Sequence, residues 1–482
     1  MASLSEIEQN RLRKLALLRK AGVNPYPEKS QRTYQIKEVL AYFSKFEQEG
    51  KRVVLTGRLR QLRVHGRSAF ANLQDESGTI QLFFDQRLLG KQNFSLFKKT
   101  VDLGDFLEVW GKVFKTKTGE KTLRGEKWQM LAKTLKPLPD KWYGFKNQEL
   151  RFRRRYLDLL MNDETRQRFY QRSQILEALR EFLKKEEFLE VETPILQQVY
   201  GGATARPFKT HHNALDLDLF LRIAPELYLK RLLVGNFEKI YEINRSFRNE
   251  GISPLHNPEF TMLELYSAYG DYKEMMEITE NLLTTLVKNL YGKLKIPYQG
   301  KEIDFSLPWE KITWSDVFKK VGITNWKDIT AVREKINDFQ LEVEEEKQNN
   351  LFELLDFIFK KKIQPDLINP TFVIDYPVEI SPLAKSKKDN PEITERFELF
   401  IGGLEVANAY SELNDPIEQY TRFYEKAKGD KEKIDFDYIE ALEYGMPPAG
   451  GLGIGIDRLV MILTDSPSIR EVILFPLLRP KK

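Results

Sequence analysis

The sequence predicts an α+β protein of two domains, a small N-terminal β-barrel and a larger C-terminal antiparallel sheet flanked by helices. Short runs with the period of β-strands follow one another from residue 52 to about residue 114. Beyond residue 146 such runs alternate irregularly with helical patterns, without the regular spacing of parallel βαβ units. The 482 residues are also too many for one compact core. We therefore predict domains of residues 1–145 and 146–482.

The composition is that of a globular protein and narrows the possible chemistry. Hydrophobic residues make up 41% of the chain and charged residues 30%. No stretch approaches the roughly 20 consecutive apolar residues of a membrane span, so we expect a cytoplasmic protein that does not contact a membrane. Cysteine is absent, which excludes disulfides, thiol catalysis and Cys-ligated zinc. With only 4 histidines, a metal site must depend on carboxylates, which favour magnesium.

The N-terminal domain combines a positive charge with the strand order of an OB-fold barrel. Residues 1–150 hold 29 Lys and Arg against 16 Asp and Glu, a net charge of +13, whereas the rest of the chain has a net charge of −8. After an amphipathic helix within residues 1–22, strand-like runs and a helix-like stretch near residues 91–99 follow the order of that five-stranded barrel. Such barrels bind single-stranded nucleic acid by stacking bases on aromatic residues in a basic groove. Phe70 and Arg63 have the required chemistry, although Phe70 would also suit a core position.

The C-terminal domain begins after a Pro-rich segment, residues 136–145, which reads as a linker. A helix is predicted over residues 165–185 and an extended segment over residues 188–196. Residues 215–223 alternate leucine with aspartate and predict a strand. A charged helical segment at about residues 309–362 indicates an insertion packed on the main sheet.

A predicted hairpin of residues 239–250 and 259–268 has unusually polar faces. Arg248 and Glu250 share one face of its first strand, and Phe260, Glu264 and Tyr266 share one face of the second. Strands normally pair an apolar face with a solvated one, so this set indicates an open site for a charged, planar molecule. The alternative is a solvated outer face.

A second predicted hairpin turns at the glycine pair 402–403. Glu398 and Glu405 become diagonal neighbours on one face, roughly 7 to 8 Å apart, a spacing that allows both carboxylates to hold magnesium. Three further polar residues share the opposite parity, so a bulge or a turn after Glu405 is required if all face one pocket. These residues are Asn408, Tyr410 and Glu412.

The segment GGLGIGIDRLVMIL passes from a glycine-rich strand into a helix beginning near Asp457. Glycines allow a nucleotide to approach the backbone, and Arg458 emerges where the helix starts. The spacing is not that of a dinucleotide-binding G-x-G-x-x-G motif, and the chain has no Walker A motif. Binding of ATP would therefore require another phosphate-binding scheme.

Together these segments resemble the class II aminoacyl-tRNA synthetases. The resemblance lies in the predicted helix followed by VETPIL, in FRNEGISPLHNPEFTMLELY and in GLGIGIDR, which match the three motifs of that class. RYLDLLMN, GGATARPFKTHHNALDLDLFLRIAPELYLKRL and ELND are similar to its lysine-specific branch. The resemblance covers essentially the whole chain. It implies a homodimer that activates lysine with ATP to lysyl-adenylate and pyrophosphate, and then transfers lysine to the 3′ end of tRNA(Lys).

The resemblance also implies roles for individual residues. The residues implied to bind lysine are Gly202, Glu226, Arg248, Tyr266, Asn408, Tyr410 and Glu412. Those implied to bind ATP are Arg248, Glu250, His256, Asn257, Phe260 and Arg458. Arg248 and Arg458 are the implied catalytic residues. Glu398 and Glu405 would bind magnesium, of which up to three ions accompany ATP. Those implied to bind the anticodon are Arg63, Phe70, Asn72, Gln81 and Glu120.

Chemistry agrees with these roles, because the lysine ε-ammonium needs an anionic pocket end and Glu412 with Tyr266 would provide one. Adenine would lie between Phe260 and the guanidinium of Arg458. One departure from the family is Leu255, where many bacterial members have Arg, and it leaves open how the γ-phosphate is contacted.

Three other functions compete with this interpretation. A non-catalytic OB-fold RNA-binding protein would explain the basic N-terminal half but not the matching catalytic motifs. An aspartyl- or asparaginyl-tRNA synthetase has a similar architecture, but Glu412 would repel aspartate. A lysine-modifying paralogue that acts on a translation factor usually lacks the OB domain.

Overall fold

The computed structural model describes residues 5–139, 147–203, 205–344, 349–430 and 434–480. These residues form two compact units, one before residue 140 and one after residue 146. The predicted boundary at residue 145 and most of the predicted linker lie outside the described residues. Within the described ranges, no helix is both long and apolar enough to cross a membrane.

The N-terminal unit is a closed five-stranded barrel with the strand order β1-β2-β3-β5-β4. Its strands are β1 (Arg52–His65), β2 (Ser68–Gln74), β3 (Thr79–Asp85), β4 (Phe106–Lys115) and β5 (Lys121–Ala132). Its helices are α1 (Glu6–Lys20), α2 (Ile36–Ala41), α3 (Phe43–Gln48), α4 (Gln86–Leu89) and α5 (Lys91–Thr100). The predicted OB-fold barrel is confirmed, with α5 at the predicted place between the third and fourth strands.

The barrel closes because apolar and polar residues alternate along its strands. In β2 the side chains of Ala69, Ala71 and Leu73 are buried while the residues between them are only partly buried. Where β4 meets β5 the register shifts at Gly111, and a Cβ there would overlap the backbone oxygen of Arg124. Only glycine permits that close approach of the two strands.

The C-terminal unit is built on an eight-stranded sheet. Its strands and those of three small sheets are β6 (Leu189–Glu190), β7 (Leu196–Gln197), β8 (Phe208–His212), β9 (Leu217–Leu221), β10 (Lys239–Phe247), β11 (Glu259–Ala268), β12 (Lys295–Tyr298), β13 (Lys301–Asp304), β14 (Glu310–Thr313), β15 (Thr371–Ile374), β16 (Ser386–Lys387), β17 (Asn390–Thr394), β18 (Arg396–Ile401), β19 (Leu404–Ser411) and β20 (Ala449–Gly455). The main sheet has the order β14-β15-β18-β19-β20-β11-β10-β6. It is antiparallel through its centre, as predicted, but the pairs β14/β15 and β10/β6 at its two ends are parallel.

Helices pack around this sheet. They are α6 (Gln148–Arg153), α7 (Arg155–Met161), α8 (Asp163–Lys185), α9 (Glu226–Val234), α10 (Tyr272–Tyr291), α11 (Trp314–Lys319), α12 (Ile329–Asp338), α13 (Leu351–Ile358), α14 (Pro416–Lys426), α15 (Phe436–Glu443), α16 (Ile456–Leu463) and α17 (Ile469–Val472). Helices α8, α10 and α16 contribute to one hydrophobic core with the central strands. A turn of π-helix, Phe359–Ile363, follows α13.

Three elements differ from the sequence prediction. The strand predicted over residues 239–250 ends at Phe247, so Arg248 and Glu250 lie just beyond it, although the Arg248 amide still donates to the carbonyl of Pro258 at 2.8 Å. The extended segment of residues 188–196 holds only β6 and the start of β7. The segment of residues 309–362 contains α11, α12 and α13, but it begins with β14, an edge strand of the main sheet.

The predicted bulge between β18 and β19 is confirmed. Phe400 pairs with Glu405 whereas Leu399 pairs with Ala407, so Val406 is the extra residue. After the bulge the burial pattern changes phase, and Glu405 comes to face the same side as Asn408 and Tyr410. This irregularity gathers the polar side chains of β19 on one face of the sheet.

Candidate active site

The central strands enclose a cavity of about 300 Å³ over β11, β19 and β20. All seven residues predicted to bind lysine line it: Gly202, Glu226, Arg248, Tyr266, Asn408, Tyr410 and Glu412. The structure therefore brings together residues that are more than 200 positions apart in the chain. It adds Arg396 and Lys426, to which the sequence prediction gave no role, and Glu264, which was predicted on the polar face of the hairpin but not as a lysine-binding residue.

The inner end of this cavity is acidic and closed to solvent. Glu412 is 1% exposed and Glu226 5% exposed. Between them lies the ammonium group of Lys230, which is fully buried, 2.6 Å from Glu226 Oε1 and ion-paired with Glu412 Oε2. Tyr410 donates its hydroxyl hydrogen to Glu226. Among the described residues, nothing donates a hydrogen bond to Glu412 Oε1, which is buried as well.

Glycine on β20 makes room for this acidic end. A Cβ at Gly451 would overlap Glu412 Oε1 and would lie 2.6 Å from the ring of Tyr266. The glycine-rich strand therefore lines this cavity and also a second one, described below.

The pKa values of two carboxyl groups in the cavity, those of Glu264 and Glu412, are strongly raised. Burial, together with the nearby charge of Glu226, raises the pKa of Glu264 to about 8. Burial likewise raises the pKa of Glu412 to about 8, although the ammonium of Lys230 opposes the shift. Tyr266 donates its hydroxyl hydrogen to Glu264 Oε2 at 3.3 Å. A cationic ligand would restore the ionised form of these acids, because opposite charge stabilises a carboxylate.

A second cavity, of about 350 Å³, opens beside the first and shares Arg248, Glu405 and Asn408 with it. All six residues predicted to bind ATP line it: Arg248, Glu250, His256, Asn257, Phe260 and Arg458. The guanidinium of Arg248, rather than that of Arg458, lies over the Phe260 ring, 5.0 Å from its centroid. Lys360 of the π-helical turn also lines the cavity, together with Leu255.

Arg458 is held at the start of α16. Its Nη1 donates to the backbone oxygen of Glu405 at 2.8 Å and to Glu405 Oε2 at 3.2 Å. Burial and the neighbouring Arg458 lower the pKa of His256, whose Nε2 lies 3.4 Å from Arg458 Nη2. The preceding residue, Asp457, accepts from the Thr261 amide at 2.8 Å and pairs with Arg172 at 2.7 Å. These contacts connect α8, β11 and α16 below the second cavity.

Of the two predicted magnesium ligands, Glu405 lines both cavities and Glu398 lines the first. Glu398 pairs with Arg396 at 2.6 Å and accepts from the Tyr376 hydroxyl at 2.9 Å. Burial raises the pKa of Glu398 to about 7. Burial acts on Glu405 in the same sense, but Arg458 and other arginines outweigh it and lower the pKa of Glu405. The described part of the chain contains no cluster of three or more His, Cys, Asp or Glu suited to a metal.

In the N-terminal unit, four of the five predicted anticodon residues lie on neighbouring strands. Arg63 on β1 pairs with Phe70 on β2, and Asn72 on β2 pairs with Gln81 on β3. Phe70, Asn72 and Gln81 alternate with buried residues of their strands, and Arg63 is exposed between partly buried residues, so all four lie on the outer face of the barrel. Phe70 is therefore not a core residue. Glu120 is exposed in the turn before β5.

The outer face also holds aromatic residues that the sequence prediction missed. Phe83 lies 4.9 Å from Phe70 between ring centroids, and Phe114 lies 6.1 Å from Phe83. Arg124 stacks over Phe114 at 4.5 Å. The signal was present in the sequence, because Phe83 shares the strand parity of Gln81.

The fold and the two cavities define a class of protein, and comparison with known families agrees with it. Residues 147–479 match the family of tRNA synthetases class II (D, K and N), and residues 53–131 match the OB-fold nucleic acid binding domain. The chain belongs to the class II aminoacyl-tRNA synthetases of this group.

Similar proteins are known from several bacteria, and each is a lysine–tRNA ligase. The chain is 54% identical to that of Carboxydothermus hydrogenoformans, over 99% of this chain and 99% of the relative. It is 49% identical to that of Thermotoga maritima, over 99% and 97%. It is 50% identical to that of Clostridium acetobutylicum, over 99% and 95%.

Proposed function

We propose that this protein joins lysine to tRNA(Lys) at the expense of ATP. In the first step lysine and ATP form lysyl-adenylate and pyrophosphate. In the second step the 3′-terminal ribose hydroxyl of the tRNA attacks the carbonyl carbon of the adenylate, and AMP leaves. The similarity to lysine–tRNA ligases over almost the entire chain supports this proposal.

The choice of lysine as the substrate rests on one observation. The buried Glu412 Oε1 has no hydrogen-bond donor within the described residues. A buried carboxylate oxygen without a partner is costly, and a substrate ammonium would remove that cost. The ε-ammonium of lysine would reach Glu412 beside the hydroxyl of Tyr266. The side chain of aspartate would add a further carboxylate to those of Glu226, Glu264 and Glu412, which argues against the aspartate enzymes of the same family.

The opposite end of the substrate would meet Glu226, Gly202 and Arg248. Gly202 adopts a φ of +83°, and a Cβ there would lie 3.0 Å from the Cβ of Glu226. Glycine thus leaves the backbone next to Glu226 open for the α-ammonium group. Asn408 and Tyr410 would line the space along the lysine chain. Arg248 would hold the α-carboxylate and the α-phosphate together.

Adenylate formation needs no general base, because the lysine carboxylate is already ionised at neutral pH. That carboxylate attacks the α-phosphorus, and pyrophosphate leaves on the opposite side. Arg248 and Arg458 would stabilise the negative charge that develops on the phosphate oxygens. Phe260 would stack on one face of adenine, and the guanidinium of Arg458 would lie on the other face of adenine. Glu250, His256 and Asn257 would surround the rest of the nucleotide.

The residues present fit magnesium. Glu405 supplies a carboxylate to both cavities and Glu398 supplies one to the first, and magnesium is usually held by one or two carboxylates together with substrate phosphates. Magnesium bound there, up to three ions with ATP, would neutralise phosphate charge. To bind magnesium, Glu405 would have to give up its contact with the guanidinium of Arg458. That guanidinium would then be available to the nucleotide.

The N-terminal unit would read the anticodon. Phe70, with Phe83 beside it, would stack on bases, and stacking contributes about 1 to 3 kcal/mol per base. Arg63, Asn72, Gln81 and Glu120 would contact base edges or the backbone. We assign residues 1–145 to this role and residues 146–482 to catalysis.

We further propose a cytoplasmic homodimer. Apolar side chains that follow α8 remain exposed: Leu189 by 50%, Ile195 by 44% and Leu196 by 46%. A partner subunit would cover them, since exposed apolar groups in one segment are typical of interfaces.

Charging of purified tRNA tests the proposed function. Incubation with ATP, magnesium and radiolabelled lysine should place lysine on tRNA(Lys) but not on tRNA(Asp), and aspartate should be attached to neither. Attachment of aspartate or asparagine instead would contradict the proposal.

A further inference from the structure

Lys230 lies at the inner end of the amino-acid cavity, and no step of the proposed reaction uses it. Glu226 is the first residue of α9 and Lys230 lies four residues later, so both occupy one face of the helix. The ammonium is 0% exposed, 2.6 Å from Glu226 Oε1, ion-paired with Glu412 and 5.3 Å from the centroid of the Tyr410 ring. It therefore bridges the two carboxylates proposed to receive the two amino groups of lysine.

Stability alone does not account for a charge in this place. Replacing a buried ion pair by apolar groups of similar size is often neutral or stabilising, because desolvation of the charges is expensive. The inner end holds three buried carboxyl groups, those of Glu226, Glu264 and Glu412, against the single ammonium of Lys230. When all are ionised, two negative charges remain, which equals the number of ammonium groups on a lysine molecule.

We propose that Lys230 is a positioning and specificity-determining residue, an internal counter-ion that opposes the protonation of Glu412 and orients Glu226 and Glu412 so that each receives one amino group of the substrate. This inference rests on the proposed function. Lys230 itself touches neither ATP nor the reacting carboxylate.

The charges around Lys230 explain how it would act. Burial alone would lower the pKa of Lys230, but Glu226 and Glu412 outweigh burial and raise it, so the ammonium stays charged and Glu412 is the group that titrates. The groups that face this cluster are Glu226 on α9, Glu264 and Tyr266 on β11, Tyr410 on β19, Glu412 after it and Tyr438 on α15, with Lys426 on α14 acting on Glu226. The ammonium of Lys230 counters the effect of burial on Glu412. Without it, more of the carboxyl groups would be protonated and uncharged at pH 7.

The test is the pH dependence of lysine activation by Lys230→Met, measured as ATP–pyrophosphate exchange between pH 6.5 and pH 9. At pH 7 the KM for lysine should exceed the wild-type value at least about tenfold, the effect of about one unit of pKa. At pH 9, a rise of one unit from a pKa of about 8 would still leave roughly half of the Glu412 carboxyl groups ionised, so the difference should fall below about threefold. The kcat at saturating lysine and the KM for ATP should stay close to wild type.

Arg231→Met is the matched control, because Arg231 is the next residue of α9 and its ion pair with Asp435, at 2.8 Å, lies outside the amino-acid cavity. It should change the KM for lysine little, and equally at every pH. A pH-independent rise in KM for Lys230→Met, or none, would overturn the proposal, because a purely structural role has no reason to follow pH.

Lys230→Gln, which keeps a donor but no charge, is the second variant in case Lys230→Met does not fold. If neither folds between pH 6.5 and pH 9 while Arg231→Met does, Lys230 is structural and the proposal is wrong. A wild-type protein that exchanges without any response to lysine would contradict the proposed function itself. If the wild-type protein activates lysine and Lys230→Met has the same KM for lysine at every pH, only the role of Lys230 is contradicted.

Discussion

Gly451 lies directly against the carboxylate of Glu412, so that a Cβ on residue 451 would overlap Glu412 Oε1. This relationship joins two segments with different predicted tasks, the glycine-rich strand of the nucleotide site and the acid of the amino-acid site. It keeps the inner end of the cavity wide enough for an ammonium group and leaves one carboxylate oxygen available.

Glu412→Gln tests the acidic pocket end, since it keeps the shape of the side chain and removes the charge. Breaking a buried charge pair costs about 3 to 5 kcal/mol, which corresponds to a loss of several hundredfold or more in kcat/KM for lysine. The KM for ATP should stay near wild type, because Phe260, Arg248 and Arg458 lie in the other cavity. Exchange kinetics at varied lysine and ATP give both values.

Glu392→Gln is the control for this change, because Glu392 pairs with Lys327 on the surface, with a side chain 69% exposed. Lysine activation by Glu412→Gln within threefold of wild type would move the ammonium-binding role to another residue.

Lysine binding by the wild-type protein should strengthen as pH rises from 6 to about 8. The pKa values of Glu264 and Glu412 are about 8 in the free protein, so below that pH both groups are largely protonated, and an incoming ammonium must displace protons. Each of these two carboxyl groups, if it must lose a proton for binding, changes the affinity for lysine by up to about tenfold per pH unit. Calorimetry at pH 7 in buffers of different ionisation enthalpy should show proton release, and less of it in Glu264→Gln. Proton uptake, or no proton change, would contradict these shifts.

Glu405→Gln should suppress adenylate formation, because it removes one anionic ligand from the magnesium on the ATP phosphates. Glu398→Gln should behave alike, and raised magnesium should restore part of the activity of both. Glu310→Gln, which alters a surface pair with Lys320 at 3.1 Å, is the control. If both variants keep wild-type exchange at limiting magnesium, neither residue belongs to the metal site.

Phe70→Ala should raise the KM for tRNA(Lys) while adenylate formation stays unchanged, since loss of one stacked base costs about 1 to 3 kcal/mol. Phe83→Ala should act in the same direction because the two rings touch. Tyr42→Ala, which removes an aromatic ring that is 60% exposed between α2 and α3, should have no effect. Equal damage to both reaction steps in Phe70→Ala would show that the ring supports the fold rather than tRNA.

Much of the fold was predictable because the two faces of many strands differ in polarity, with buried apolar residues on one face and more polar, less buried residues on the other. The alternation in β2 and β3 predicted the barrel, and the opposite parity of Glu405 and Asn408 required the bulge at Val406. The parallel edge strand β6 was not predictable, since a strand of two residues carries no periodic pattern.

The site residues that belong to a sequence motif were predictable. Those that reach the site only through packing between distant segments were not. Lys230 lies in the run ELYLKRLLV, where a lysine is expected to reach solvent. It is buried because Glu412 and Tyr438, about 200 residues further along the chain, close over it, and no local pattern records that contact.

The most direct test of the whole account is ATP–pyrophosphate exchange in the absence of tRNA, measured separately with each of the twenty amino acids. The acidic inner end of the cavity predicts that lysine is the best substrate by a wide margin and that aspartate and asparagine support no exchange above background. A higher kcat/KM with any amino acid other than lysine would contradict the assignment of the substrate.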